Sequence, residues 1–309
     1  MESNANSYSA KSLNICNVIK NSKKILQMKK KILVIGATGL IGKGVAIQLQ
    51  KDDYHVIVMS RNKEKAASIF PKHFEIIEAD VLEPGSIKYA FSGVEGVFIS
   101  LPEKALPAAI PTILQNAKES GVGHIVYTSG CTVKKENAWH PMINGHYQGE
   151  QAIEKCGIPF TFLKLTMVMD MIPRYANNGK PFIIGKQKHG WSWIYSGDVA
   201  KMASKAFSNE VAKNKKLTIW GKEKCTIAEA VDRYHSTMDI SAKLAKSKPF
   251  WMANLLALIV GEKLKYAISI FKYFEDHPEE GNPNEAYEIL GEPEMTLKHF
   301  FNLEKSIMA

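Results

Sequence analysis

A strand, a glycine-spaced turn and a helix follow one another without a gap from residue 31, and few folds accept that order. Lys31–Ile35 is a compact β-rich run, and Gly36-Ala37-Thr38-Gly39-Leu40-Ile41-Gly42 then opens a helix that ends near Gln50. Gly36 permits a tight turn, Gly39 lets the backbone approach a pyrophosphate, and Gly42 lets the helix pack closely on the strand. The N-terminus of such a helix presents free N–H groups and the positive end of its dipole to phosphate. This turn is therefore expected to cradle a dinucleotide, with Thr38, Leu40 and Ile41 beside the three glycines.

The second strand, His55–Met59, runs into Ser60-Arg61-Asn62-Lys63. A site selective for NAD(H) places Asp or Glu at such a point for the ribose hydroxyls. Here Arg61 stands 19 residues beyond Gly42. A guanidinium pairs with a 2′-phosphate and stacks on adenine, so the residue favours NADP(H) over NAD(H). Ser60 is a candidate hydrogen-bond donor to the same phosphate, with Lys43 and Lys63 as candidate helpers.

Strand and helix signals go on alternating. Strands are expected at Phe74–Ile77 (closed by Asp80), Gly96–Ser100, His124–Thr128 and Phe160–Leu165, and helices at Pro107–Ser120 and Gly145–Lys155. Strands separated by helices imply right-handed crossovers and a parallel sheet covered on both faces. The fold class is therefore α/β: a Rossmann-like, doubly wound parallel sheet with a smaller, mostly helical C-terminal portion. Residues 29–165 are expected to be the NAD(P)-binding core. Residues 166–309 are expected to be a substrate or cap portion, of which about 191–221 returns to the core through a strand at Leu217–Trp220. Within it, Asp198 and Thr226 are expected to cap helices over Asp198–Phe207 and Thr226–Tyr234. Pro249–Phe274 reads as helical with a break at Gly261.

Composition narrows the partners. The chain is 45% hydrophobic, enough for a sizeable core and too much for a mainly disordered chain. Its net charge is +9, but residues 1–30 hold six lysines against one glutamate. Most of the excess sits there, so no nucleic-acid partner is expected. Residues 1–28 are read as a disordered basic tail, with Met28 as an alternative start. Cys16, Cys131, Cys156 and Cys225 lie far apart with no CxxC, so no metal site or disulfide framework is expected, and a reducing, cytoplasmic compartment fits. Phe250–Val260 is apolar but shorter than the roughly 20 residues of a membrane span. It is read as a buried or lid helix, with an interfacial membrane contact as the lesser reading. Nothing fixes the oligomeric state.

Four segments together resemble the atypical short-chain dehydrogenase/reductase superfamily, and within it the NmrA-like NAD(P)-binding proteins. They are Gly36 to Gly42, Ser60-Arg61-Asn62, Ala79-Asp80-Val81 and Gly157-Ile158-Pro159-Phe160-Thr161. The resemblance covers about residues 29–240. It implies that Asp80 and Val81 border the adenine, and that Ser100 and Leu101 line the path to the nicotinamide.

It also brings out a departure. Short-chain dehydrogenases typically use a Tyr-x-x-x-Lys pair, and none of the eleven tyrosines here has Lys four residues later. Counting back from Glu150 puts His146 at the lysine position and Met142 at the tyrosine position, while Gly130 falls at the serine position. His146 and Tyr147 are then the candidate proton donors. Met142 and Met167 are candidate substrate contacts, Met167 within an adaptable wall with Met169 and Met171. Lys164 is read as a structural cation, Cys131 as a buried thiol, and Trp191, Trp193 and Tyr195 as alternating along a half-buried strand. Trp251 and nearby leucines are expected to cap the substrate.

A lost proton relay costs typically about 10²–10⁴-fold in rate, which weighs against oxidation of a simple alcohol. An acceptor that stabilises its own negative charge needs less help. The expected function is NADP(H)-dependent hydride transfer to a small apolar electrophile, quinone-like or an activated carbonyl. The alternatives are a non-catalytic NADP(H)-sensing regulator with a protein partner, and a nucleotide-holding accessory subunit of a membrane complex.

Overall fold

A computed structural model describes residues 29–240 and 246–308. The tail reading, Met28 and Cys16 lie outside the described residues. Seven strands form one all-parallel sheet: β1 (Lys31–Ile35), β2 (His55–Ser60), β3 (Glu75–Glu78), β4 (Gly96–Ile99), β5 (His124–Gly130), β6 (Phe160–Leu165) and, later in the chain, β8 (Lys215–Ile219). The order across the sheet is β3-β2-β1-β4-β5-β6-β8. The chain thus winds outward from β1 to β3, then returns past β1 to β4 and winds the other way. The reversal opens a crevice at the carboxyl ends of β1 and β4, where ligands bind in such sheets.

Register carries the site residues to that edge. Ile35 pairs with Met59 on one side and with Ile99 on the other. Gly36, Ser60 and Ser100 therefore leave the sheet at the same level.

Successive strand residues point to opposite faces, and both faces are buried. Ile32 and Val34 pack with α1 (Gly42–Lys51) and α5 (Ser196–Ser208) through Val45, Leu49, Ala203 and Phe207. Leu33 and Ile35 join the opposite layer with α3 (Leu106–Glu119) and α4 (Pro141–Lys155) through Ile110, Ile113 and Ile153. A short helix α2 (Lys63–Ile69) links β2 to β3, and Asn62 caps it by accepting the Lys65 N–H at 2.6 Å.

The rest of the chain builds a smaller, mostly helical portion. A two-stranded antiparallel ribbon, β7 (Trp191–Trp193) with β9 (Glu223–Cys225), packs with α6 (Ile227–Thr237) and α10 (Leu297–Met308) in a separate apolar cluster. Helices α7 (Phe250–Val260) and α8 (Glu262–Asp276) share a further cluster with Ile184, and α9 (Asn284–Leu290) lies beside α5 and β8. Glu279 anchors this portion: its buried carboxylate accepts the Thr166 hydroxyl, the Ser192 N–H and hydroxyl, and the Lys224 ammonium. Among the described residues no helix is long and apolar enough to cross a membrane.

Two helix starts differ from the sequence expectation. α4 begins at Pro141, not Gly145. Gly145 is an interior residue, and its missing side chain leaves room for the Glu103 carbonyl. α5 begins at Ser196, so Asp198 lies in its first turn and is not its cap. Asp170 takes the Ser196 N–H and hydroxyl, at 3.0 and 2.6 Å. The Asp198 carboxylate accepts the N–H groups of Glu294 and Met295 instead, tying α5 to the segment before α10.

Candidate functional site

The turn after β1 is shaped by what its glycines lack. Gly36 sits at φ +80°, and a Cβ there would run into the Ser100 carbonyl at the end of β4. A Cβ on Gly42 would run into the Gly36 carbonyl. The turn therefore folds tightly against both strand ends. Gly39 N–H donates to Gly36 O at 2.9 Å and Lys43 N–H to Gly39 O at 3.2 Å. The N–H groups of Leu40, Ile41 and Gly42 find no carbonyl among the described residues, and the first turn of α1 carries no acidic side chain. This is the donor set that suits a pyrophosphate.

A cavity of about 280 Å³ opens beside this turn. Gly36, Thr38, Gly39, Ser60, Arg61, Asp80, Val81, Ser100 and Leu101 line it, together with Met59, Leu82, Pro102 and Ala105. Arg61 is exposed, and among the described residues no carboxylate pairs with it. The Ser60 hydroxyl is already committed: it donates to Asn62 O at 2.9 Å and accepts the Asn62 N–H at 3.2 Å. Its part is to shape the turn that presents Arg61. The Asp80 carboxylate accepts the Leu82 N–H at 3.0 Å. Leu40, Gly42, Lys43 and Lys63 do not line this cavity.

A second cavity of about 270 Å³ shares Ser100 and Leu101 with the first. Its walls are largely apolar: Ile41, Val133, Met142, Ile143, Leu165, Met167, Trp191 and Phe274. Its polar edge holds Thr128, Ser129, Thr132, Thr166 and His146. His146 Nδ1 lies 2.8 Å from the hydroxyl of Tyr127 on β5. Burial, with the Glu150 charge adding to it, pushes the Tyr127 phenol far above its usual range. Burial lowers the His146 imidazole to about 4. At neutral pH the phenol therefore keeps its proton and the imidazole is uncharged. The phenol has no other acceptor among the described residues, which assigns it as donor to Nδ1 and leaves the ring hydrogen on Nε2.

Behind the cavity lies a buried ion pair. Lys164 Nζ donates to Glu150 Oε1 and Oε2 at 3.1 and 3.3 Å and to Val133 O at 2.8 Å. The Ser129 hydroxyl donates to the same Glu150 carboxylate. Lys164 thus holds α4, the end of β5 and the Val133 turn in one arrangement. Cys131 also borders the cavity, but burial pushes its thiol up to about 12, so it stays protonated.

Other expected residues fall elsewhere. Tyr147 packs with Val133, Ile143 and Tyr273 and does not line the cavity. Met169 is buried with Ile172 and Trp193, away from it. Trp251 does not cap the site: it is 67% exposed on α7, and Leu255, Leu256 and Leu258 are exposed with it. Phe274 of α8 and Trp191 of β7 border the cavity instead. Sequence reasoning missed Phe274, Thr132, Val133, Ile143 and Thr166 in the lining, and Tyr127 behind His146. Tyr127 sits in a run already singled out for its serine. Phe274 comes from a helix far along the chain, with no local signal.

The family model for the NmrA-like family matches residues 28–289. NAD(P)H azoreductase of Xenophilus azovorans is 28% identical over 209 residues, 64% of this chain and 70% of that relative. Triphenylmethane reductase of Citrobacter sp., solved with NADP(H), is similar in structure with a TM-score of 0.72 at 21% identity, over 88% of this chain and 99% of that one. NADPH-dependent quinone oxidoreductase of Escherichia coli, solved with NADPH, gives the same TM-score of 0.72 at 18% identity, over 88% and 99% of the two chains. The two solved structures share the fold of this chain.

Proposed function

The chain belongs to the NmrA-like family, and from that premise we propose that it is an NADP(H)-dependent reductase of a small, apolar, electron-poor acceptor, quinone-like or an activated carbonyl. The observation that carries the reading is the meeting of two cavities at Ser100 and Leu101. One has the glycine turn, the open N–H groups and Arg61 for a phosphorylated dinucleotide. The other has apolar walls and a single neutral imidazole for an acceptor. Bound in the first cavity, the dinucleotide supplies hydride.

The chain's own residues do the rest. Gly36 to Gly42 and Arg61 bind the phosphates and fix the register of the cofactor. Met142, Met167, Trp191 and Phe274 hold the acceptor and exclude water. His146 Nε2–H offers a hydrogen bond to the acceptor oxygen or nitrogen, where negative charge grows as hydride arrives. The neutral imidazole gives up a proton less readily than an imidazolium would. This suits an acceptor whose own conjugation spreads the charge, and relatives named as azoreductase and quinone oxidoreductase fit that class. Selectivity for the 2′-phosphorylated cofactor rests on Arg61.

The test is consumption of NADPH by purified protein with a panel of quinones and conjugated carbonyls, followed by absorbance. Turnover that disappears in Gly39→Val supports the reading. Tight NADPH binding with no acceptor consumed would replace it with the sensor reading, which the missing Tyr-x-x-x-Lys pair favours.

A further inference from the structure

Helix α7 is unlike every other helix among the described residues. Large apolar side chains left singly at the surface are ordinary, but here they cluster. Seven of the fifteen that the described residues expose lie on this one helix of 11 residues. Ile259 is 85% exposed and Leu258 75%. Only Ala253 and Ala257 are buried, packed with Leu264 and Ile268 of α8 and with Ile184. The small alanines let α7 lie close on α8, Phe250 at its first position packs against the same cluster, and the larger apolar residues from Trp251 onward are exposed. Gly261, at φ +88°, makes the break between the two helices. A contiguous exposed apolar surface of this kind marks a contact with something else.

Charge identifies the partner. Lys246 and Lys248 precede the helix, and Lys263 and Lys265 follow it. Among the described residues no carboxylate pairs with Lys246, Lys248 or Lys263. Lys265 is engaged by Glu262 at 2.7 Å, and that is the sole acidic residue within four positions of the helix in sequence; the Glu275 carboxylate, near Phe250, is engaged by the Lys186 N–H and by Lys188. A second copy of this chain is a poor occupant. A two-fold interface places the same patch on both sides, and either orientation of two α7 helices would set lysines against lysines. A surface with an apolar interior and anionic headgroups complements both the face and its rim. At about 1.5 Å per residue the helix is about 16 Å long, half the hydrocarbon thickness of about 30 Å. It is suited to lying in the interface and not to crossing it.

We propose that α7 is an interfacial anchor that seats Trp251, Leu255, Leu258 and Ile259 in an anionic lipid surface, with Lys246, Lys248 and Lys263 at the headgroups. The inference does not depend on the cofactor reading. Its test is co-sedimentation of the full chain with vesicles of phosphatidylcholine alone and of phosphatidylcholine with phosphatidylserine. Binding to the anionic vesicles is expected to exceed binding to the neutral ones by about tenfold or more. Leu258→Asp with Ile259→Asp is expected to abolish it at an unchanged melting temperature, since both side chains are exposed. Lys246→Ala with Lys263→Ala is expected to weaken it at physiological salt. Failure to bind anionic vesicles overturns the proposal. So does binding that survives the two aspartates, which would assign it to the basic residues of the N-terminal segment. A dimer in sedimentation velocity that the same aspartates dissolve overturns it in favour of a second copy.

Discussion

The two cavities share Ser100 and Leu101 and are built in opposite ways. The nucleotide cavity is lined by four short segments between Ile35 and Ala105, one at the carboxyl end of each of the first four strands, and its most specific parts are backbone groups and absent side chains. The acceptor cavity is made by side chains drawn from Ile41 through Phe274, held in place by buried charge. A backbone-built site announces itself, because only glycine tolerates φ +80° or the close approach of a carbonyl. A site assembled from side chains depends on which distant helix lies over it, and no local pattern reports that.

The difference can be broken or sharpened by substitution. Lys164→Met should have the largest effect. It strands the buried Glu150 carboxylate, and breaking one side of such a pair costs about 3–5 kcal/mol. Urea midpoints should show that loss, and adding Glu150→Gln should recover much of it. A small effect would mean that the acceptor half does not rest on this pair. On the nucleotide side, Gly36→Ala should cost about 2–3 kcal/mol, since it combines an unfavourable backbone angle with a clash. It should also remove NADPH binding in calorimetry. Retained binding would show that the turn is not the cradle.

Arg61→Ala comes next. It should weaken NADPH by about tenfold to a hundredfold, close to the usual range of about 1.5–3 kcal/mol for a charge-assisted hydrogen bond, and leave NADH nearly unchanged. Equal losses for both cofactors would remove the selectivity argument. His146→Gln should lower kcat by roughly tenfold, below the range of a full proton relay, with cofactor affinity intact. A change in cofactor affinity alone would move His146 from the acceptor to the ribose.

A separate effect concerns pH and two buried histidines. Burial, first among the causes, lowers both His124 and His146 to about 4. An unfolded histidine takes up its proton near pH 6.5. The unfolded chain therefore binds more protons below that value, and stability present above pH 6.5 is lost progressively toward pH 4. Urea midpoints across that window should fall in wild type and fall less in His146→Gln.

Much of the sheet was legible because its strands are short β-branched runs, each closed by a polar or glycine residue. The α/β class and the parallel order follow from that alternation. The turn and its spacing also mark Gly36, Thr38, Gly39 and Arg61, the family resemblance adds Asp80 and Ser100, and the structure gathers all six along one cavity. Three of the failed expectations have clear physical reasons. Gly145 looked like a helix boundary, but it is an interior position kept clear for the Glu103 carbonyl. Asp198 looked like a cap, but the helix starts two residues earlier and its carboxylate serves the segment before α10. Trp251 looked like a lid because apolar residues are usually inside; on α7 they are outside. Phe274 was missed because tertiary packing, not sequence spacing, brings it to the cavity, and Tyr127 because it acts from behind the wall, through His146.

The most direct measurement is a crystal structure of the protein with NADP(H) bound. The account predicts the 2′-phosphate beside Arg61, the pyrophosphate against the N–H groups of Leu40 to Gly42, and the nicotinamide at Ser100 with one face open toward His146. A nicotinamide turned away from the second cavity, or a nucleotide bound anywhere else on the molecule, would contradict it.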